Sequence, residues 1–528
     1  MIRFYARRMD SADKHPQERR DLDSDAGDLA GGPAPAGFGA RVRSALAWRY
    51  GSQVIAQIIT WGSTLLVVRL LDPSDYGLFA MSQVVLAALA FLNGWGFANS
   101  LIQQDSIGKR DIGQAFALLL VLNLGLAAAQ ILIAPYAALY YGEPLVEDML
   151  HIQALLFLTT PFIALPSALL SRELSFRTQA IANMIASIAG AVTALAMAWY
   201  GYGVWALVWA PIVAFAVRAA GVTIAAWPLA LPVFDLKGAG AMVSYGGAMT
   251  LCQMLWIVQS QSDIFIAGRI FEPYDLGLYA EALFLTLIVT GRFLPPLNEV
   301  AFPAYSELHK AGHSLAPYFL RSMRSVAIIT GPIYIGLALT APEAIATLFG
   351  EKWLPMAPIV AGLALVMPLR SLEIICTPAT NATGRPRIYV YTSLFGALLF
   401  TSGFLVGVQY GAMGLVRAWW VASPLLLAFT LAFTLPVAGV GAWEWFKSIW
   451  PAIVGCGAMA VGVIGLGTIL PDWPAPLRLA ALGAAGAAIY AAVIWFGWRS
   501  VVYDSWAMVR RRPASAPEPG GRMQTTAG

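Results

Sequence analysis

Polar side chains inside apolar stretches are the residues of this chain that could do chemistry. In the stretch 46–68, Arg49, Gln53 and Gln57 are followed by Thr60 and Thr64. Their i, i+4, i+8, i+11 and i+15 spacing places all of them on one helical face. Polar groups within a membrane are costly and usually face a protein interior or a water-filled cavity. The spacing therefore predicts a helix that lines such a space.

Arginines occur in several other apolar stretches. Guanidinium groups bind phosphate through paired donors, so an excess of arginine favours an anionic ligand over a cationic one. The residues predicted to bind such a substrate are Arg49, Gln53, Gln57, Arg218, Arg292 and Arg370.

Two acidic residues in apolar stretches, Asp263 and Glu281, are candidates for coupling transport to an ion. Asp263 also has a purely structural interpretation. Arg370 has an alternative as well, because Glu373 follows it by one helical turn and could neutralise it.

Several kinds of site are excluded by the sequence. The three cysteines lie in apolar stretches and form no metal-binding pattern, and His309 and His313 have no acidic residue between them. No GxxxxGK[ST] motif for nucleotide phosphates occurs. No turn on the predicted outer side is long enough for a catalytic domain. We therefore predict a transporter that is not an enzyme, with no cofactor, no metal and no nucleic-acid partner.

The composition is that of a polytopic membrane protein. Charged residues make up 12% of the 528 residues and hydrophobic residues 59%, whereas soluble domains are roughly 25% charged. Stretches near the ~20 residues that cross a bilayer recur along the chain. Fourteen are predicted: 46–68, 77–102, 112–135, 149–170, 178–200, 204–227, 241–268, 276–295, 319–341, 355–378, 388–409, 413–436, 447–469 and 477–498.

Lysine and arginine predict the orientation of these spans. With the N-terminus in the cytoplasm, most lysines and arginines of the turns fall on the cytoplasmic side. The outer turns hold few, Arg69, Arg269, Lys352 and Arg478, set among many acidic residues. A missed or invented span would reverse this distribution beyond the error. An even number of spans with both termini cytoplasmic is therefore predicted.

An internal repeat divides the chain. The segment Arg69-Leu-Leu-Asp-Pro-Ser-Asp-Tyr-Gly-Leu-Phe-Ala80 returns as Arg269-Ile-Phe-Glu-Pro-Tyr-Asp-Leu-Gly-Leu-Tyr-Ala280, and Tyr141-Gly-Glu143 returns as Phe349-Gly-Glu351. The two copies lie six spans apart and face the same side, which indicates two parallel six-helix lobes.

The predicted all-α membrane fold therefore has five parts. These are a disordered cytoplasmic tail (1–43), an N-lobe (44–237), a C-lobe (238–440), an accessory helix pair (441–500) and a second cytoplasmic tail (501–528).

Five short segments of the chain resemble the landmarks of a known family. They are the first copy of the repeat, Asp263-Ile-Phe-Ile-Ala-Gly-Arg, Phe302-Pro-Ala-Tyr-Ser, Leu348-Phe-Gly-Glu-Lys-Trp and Ala382-Thr-Gly-Arg-Pro. They resemble, in order, landmarks of the bacterial polysaccharide transport and O-antigen flippase family, in the multidrug/oligosaccharidyl-lipid/polysaccharide exporter superfamily. The resemblance covers most of residues 46–440.

The resemblance implies a multi-pass protein of the bacterial inner membrane that moves undecaprenyl-diphosphate-linked oligosaccharide to the outer leaflet. It implies alternating access of two lobes around a cationic cavity, for synthesis of exopolysaccharide, capsule or O-antigen. The expected partners are this substrate, membrane lipid, and a polysaccharide polymerase and glycosyltransferases of the same pathway. A flippase for the peptidoglycan precursor is the alternative. A multidrug exporter is disfavoured because it would need acidic cavity residues for cationic drugs, whereas arginines outnumber carboxylates among the embedded charges. A membrane polymerase or ligase is disfavoured because no long outer loop could carry its catalytic residues.

Overall fold

The computed structural model describes residues 56–93, 108–173, 175–227, 231–234, 240–385 and 387–499, with backbone only for 240–254. The described residues form helices and turns, with no β-strand among them. In chain order the α-helices are α1 (Ala56–Leu70), α2 (Pro73–Ala90), α3 (Lys109–Tyr141), α4 (Leu145–Gln153), α5 (Leu155–Arg172), α6 (Phe176–Trp199), α7 (Trp205–Ala225), α8 (Gly240–Ile270), α9 (Pro273–Lys310), α10 (Ala316–Leu339), α11 (Ala341–Leu348), α12 (Ala357–Ile374), α13 (Thr377–Ala382), α14 (Arg387–Gly407), α15 (Gly411–Ala438), α16 (Ala442–Ile469) and α17 (Ala475–Gly497).

The all-helical membrane fold is confirmed. Ten stretches of the described residues are long and apolar enough to cross a membrane, and one of them, Arg387–Ala438, contains both α14 and α15. The number fourteen and the cytoplasmic placement of both termini stay predictions. The predicted tails, 1–43 and 501–528, lie outside the described residues.

Two tight glycine turns separate helices that the sequence could have merged. Gly201 and Gly203 have φ of 77° and 55° between α6 and α7, and Gly411 has φ of 71° where α15 begins. Residues with a Cβ rarely adopt this left-handed region, so glycine fixes both turns.

Each of the two copies of the repeated segment begins a helix, α2 in the first copy and α9 in the second. Pro73 and Pro273 each occupy the first position of a helix, where the missing N–H costs nothing. The backbone N–H of Asp72 also donates to Oδ2 of Asp75 at 3.0 Å, which caps α2. The helices therefore begin several residues before the predicted spans at 77 and 276.

The first turns of α2 and α9 cross each other, with Gly77 on α2 and Gly277 on α9 at the crossing point. An added Cβ on Gly77 would lie 1.8 Å from the carbonyl oxygen of Pro273, and one on Gly277 would lie 1.8 Å from that of Pro73. The approach is reciprocal, as expected for two copies of one segment related by a local pseudo-twofold axis. Only glycine permits the two backbones to come this close.

Contacts between Cα atoms divide the chain into Met1–Gly277 and Leu278–Gly528. The predicted boundary between the lobes lies at 237/238. Helix α8 packs against α2 and α3, which groups it with the first unit. The predicted lobe boundaries stay a prediction.

In the second unit, α10 packs against α12 and α16, and α15 packs against α12 and α14. The accessory helices α16 and α17 pack on each other through Met459, Val463, Leu482 and Tyr490. Tyr490 also donates its hydroxyl to the carbonyl of Ile328 at 2.9 Å, which attaches α17 to α10.

Candidate functional site

A polar cavity of about 460 Å³ lies inside the first unit. It is formed by α1, the end of α5, the first half of α6 and the second half of α7. The residues that line it are Ala56, Gln57, Thr60, Ser171, Phe176, Gln179, Ala180, Asn183, Ala186, Ser187, Ala214, Phe215 and Arg218. Among these lining residues, Arg218 alone has a charged side chain.

Helical spacing brings the polar residues of α6 to the cavity. Gln179, Asn183 and Ser187 follow one another at four-residue intervals and therefore share one face of the helix. On α1, Gln57 and Thr60 lie one turn apart and also face the cavity.

Small residues hold α6 and α7 close together behind the cavity. A Cβ added to Gly190 would lie 3.0 Å from the Cβ of Ala214, and one added to Gly221 would lie 3.1 Å from the Cβ of Ala182. Close approach through small residues is the usual way in which membrane helices pack. It fixes the position of Arg218 relative to the polar face of α6.

Hydrogen bonds hold α1 and α5, the other two helices of the cavity, against α6. Ser63 of α1 donates its hydroxyl to the carbonyl of Ala191 on α6 at 3.2 Å. Gln179 donates its amide to the carbonyl of Ser167 at 3.1 Å and to Oγ of Ser171 at 3.0 Å, which joins α6 to α5. The cavity is thus bounded by helices that are tied to one another.

Two polar atoms of cavity residues are buried and have no hydrogen-bond partner among the residues that the structure describes. They are Oδ1 of Asn183, an acceptor, and Nε of Arg218, a donor. Arg218 also has no ion-pair partner among the described residues. Leaving such groups unsatisfied costs about 1–3 kcal/mol each, and most buried polar groups in proteins do have partners.

The cavity brings together two of the predicted substrate residues, Gln57 and Arg218. Arg49 and Gln53, from the same predicted stripe as Gln57, lie outside the described residues. Arg292, Arg370, Asp263 and Glu281 do not line the cavity.

Arg370 is held in an ion pair. Its guanidinium lies 2.8 Å from Oε2 of Glu373 and 5.8 Å from the ring centre of Phe400. Both charged side chains are mostly buried, at 13% and 16% exposure. The pair carries no net charge, so it adds nothing to a cationic surface, and a substrate role of Arg370 stays a prediction.

The remaining predicted residues lie on α8 and α9. Arg292 is exposed. Glu281 is buried and has no hydrogen-bond or ion-pair partner among the described residues. Asp263 is buried and accepts the backbone N–H of Ile264 at 2.8 Å. The ion-coupling roles of Asp263 and Glu281 stay predictions.

Sequence reasoning missed the polar face of α6. The predicted site residues were charged residues in apolar stretches and the polar stripe that includes α1. Gln179, Asn183 and Ser187 are neutral and were therefore not selected. Their four-residue spacing in an apolar stretch is the signal that could have identified them.

The chain is similar to curated proteins of polysaccharide biosynthesis. It is 24% identical over 480 residues to the succinoglycan biosynthesis transport protein ExoT of Rhizobium meliloti, covering 88% of this chain and 96% of that protein. It is 23% identical to the lipopolysaccharide biosynthesis protein WzxC of Escherichia coli, covering 75% and 82%. The teichuronic acid biosynthesis protein TuaB of Bacillus subtilis is 25% identical, with 75% and 83% covered.

Solved structures share the fold. The lipid II flippase MurJ in an inward closed conformation aligns with a TM-score of 0.71 at 11% identity, covering 86% of this chain and 99% of that one. An inward-facing multidrug resistance transporter of the MATE family aligns with a TM-score of 0.54 at 12% identity, covering 73% and 96%. The chain therefore shares its fold with these two transporters.

The match to a protein family includes more than half of the chain. Residues 66–358 match the family described as polysaccharide biosynthesis protein. That range includes both copies of the repeat, the polar face of α6, and Arg218. The chain belongs to this family of polysaccharide biosynthesis proteins.

Proposed function

We propose that this protein moves a lipid-linked oligosaccharide across the bacterial inner membrane, for synthesis of exopolysaccharide, capsule or O-antigen. The observation that carries the proposal is Arg218, which lines a polar cavity inside apolar helices and whose guanidinium has no ion-pair partner among the described residues. The family and the relatives that act in succinoglycan and lipopolysaccharide biosynthesis support the same function.

The energetics of Arg218 favour an anionic or strongly polar ligand. Placing an arginine at the centre of a membrane helix costs about 2.5–3.5 kcal/mol on insertion scales. A ligand that accepts hydrogen bonds from the guanidinium offsets part of this cost, because such charge-assisted bonds are the strong ones. A cationic drug would be repelled.

Alternating access is the proposed mechanism. The two lobes expose the bound headgroup to one side of the membrane and then to the other, while the lipid tail stays in the bilayer. Arg49, Gln53, Gln57, Arg218, Arg292 and Arg370 are the proposed substrate residues, and Asp263 and Glu281 the proposed ion-coupling residues. A polymerase and glycosyltransferases of the same pathway would use the product and supply the substrate.

Deletion of the gene tests this function. We expect loss of surface polysaccharide, accumulation of lipid-linked glycan and normal growth. The wild-type gene should restore the polysaccharide and Arg218→Ala should not. Arg417→Ala, which removes an exposed arginine of α15, is the matched control and should restore it. Lysis of the deletion strain with intact surface polysaccharide would instead favour the peptidoglycan precursor as substrate.

A further inference from the structure

Six of the seven polar residues that line the cavity of the first unit are neutral. Its lining combines three amides, three hydroxyls and one guanidinium, from Gln57, Gln179, Asn183, Thr60, Ser171, Ser187 and Arg218. No carboxylate is among these lining residues. Amides and hydroxyls both donate and accept hydrogen bonds. The lining therefore suits a ligand that also does both.

Oδ1 of Asn183 needs a hydrogen-bond donor and Nε of Arg218 needs an acceptor, and a sugar can supply both whereas an ionised phosphate supplies only acceptors. The ionised oxygens of a diphosphate only accept hydrogen bonds, so they could satisfy Nε of Arg218 but not Oδ1 of Asn183. A sugar hydroxyl can accept from the first and donate to the second. Both atoms are buried in the structure, so each side chain must rotate before a ligand in the cavity can reach them.

The apolar part of the lining and the volume fit one or two sugar rings. Phe176 and Phe215 also line the cavity, and an aromatic ring offers an apolar face on which the C–H face of a pyranose can pack. The volume of about 460 Å³ lies within the ~300–1,000 Å³ of small-molecule sites.

We infer that this cavity is a subsite for neutral sugar rings of the transported glycan, and that the diphosphate of the lipid binds elsewhere. The inference rests on the proposed function and names the part of the substrate that the cavity recognises. The cavity lies where α5 ends and α6 begins, at the side that the basic residues predict to be cytoplasmic. A glycan attached to its lipid in the cytoplasm would reach it from there.

Binding to two lipids tests the inference. The glycan-bearing lipid that accumulates in the deletion strain is purified, and part of it is converted to the same lipid diphosphate without glycan. Affinities of the full-length protein in nanodiscs are measured for both lipids. The variants are Asn183→Ala and Ser187→Ala, both of which introduce the residue with the highest helix propensity. The control is Thr193→Ala, on the same helix but outside the cavity, where the hydroxyl bonds the carbonyl of Ala189 at 2.8 Å.

Each cavity variant should bind the glycan-bearing lipid about two- to tenfold more weakly, the effect of one lost hydrogen bond. Binding of the bare diphosphate, and both affinities of Thr193→Ala, should stay at the wild-type values. Equal weakening for both lipids would mean that the cavity binds phosphate and would overturn the inference. Unchanged affinity in both cavity variants would overturn it too. Wild-type protein that binds neither lipid would overturn the proposed function itself.

Discussion

Replacing Gly77 or Gly277 by alanine should force apart the two helix starts that cross at these residues. Each new Cβ would be placed 1.8 Å from a carbonyl oxygen of the opposite segment, that of Pro273 or of Pro73. Both contacts are with backbone atoms, which have no rotamer to change. The helices themselves must therefore move.

The size of the effect follows from the contact distance. A carbon and a carbonyl oxygen approach to about 3.3 Å at the closest, so the backbones would have to separate by roughly 1.5 Å. Overpacking of this kind costs about 1–3 kcal/mol. The double variant Gly77→Ala/Gly277→Ala should cost less than the sum of the single ones, because the first substitution already separates the helices.

Thermal unfolding of the purified protein in detergent measures this cost. Gly125→Ala is the matched control, because an added Cβ on Gly125 meets no atom within 4 Å. We expect both crossing variants to unfold at lower temperature than the wild type, and the control not to. Crossing variants as stable as the control would refute the close approach of the two repeat copies, and additive losses would refute the coupling between them.

Three other substitutions test single features of the structure by the same assay. Glu373→Gln should destabilise the protein more than Glu373→Gln combined with Arg370→Gln, because the single change leaves a mostly buried charge unpaired; equal losses would show that the pair is unimportant. Trp419→Phe should cost about 0.5–1.5 kcal/mol, because it removes the buried 3.0 Å bond from Nε1 to the hydroxyl of Tyr279; wild-type stability would contradict that bond. Gly201→Ala should cost about 1–2 kcal/mol from backbone strain alone, since φ is 77° and an added Cβ meets no atom; no loss would contradict the left-handed turn.

Hydropathy, turn glycines and the repeat predicted much of the fold, because each depends on local sequence. The second repeat, Tyr141-Gly-Glu143 and Phe349-Gly-Glu351, is an example: its glycines, Gly142 and Gly350, have φ of 77° and 97°, and each follows the end of a helix. Spans estimated from bilayer thickness did not predict the length of α9. This helix continues to Lys310 through Pro295, Pro296 and Pro303, which membrane helices tolerate.

The candidate site was only partly predictable, because it depends on which helices meet. Polarity and spacing identified Gln57 and Arg218 separately, and the structure places both on one cavity. The same reasoning could not decide whether Arg370 is free or paired with Glu373, since both outcomes fit the i, i+3 spacing. Asn183 was missed because a neutral amide on an apolar helix shows its importance only once Arg218 of a neighbouring helix lies beside the same cavity.

Transfer of the lipid-linked glycan between leaflets of reconstituted vesicles tests the central claim most directly. Wild-type protein should move the lipid to the opposite leaflet. Arg218→Ala should slow this transfer by about 10- to 100-fold, the effect of losing a hydrogen bond from a charged group, whereas Arg417→Ala should transfer at the wild-type rate. No protein-dependent transfer of the lipid, or transfer by Arg218→Ala at the wild-type rate, would contradict the account.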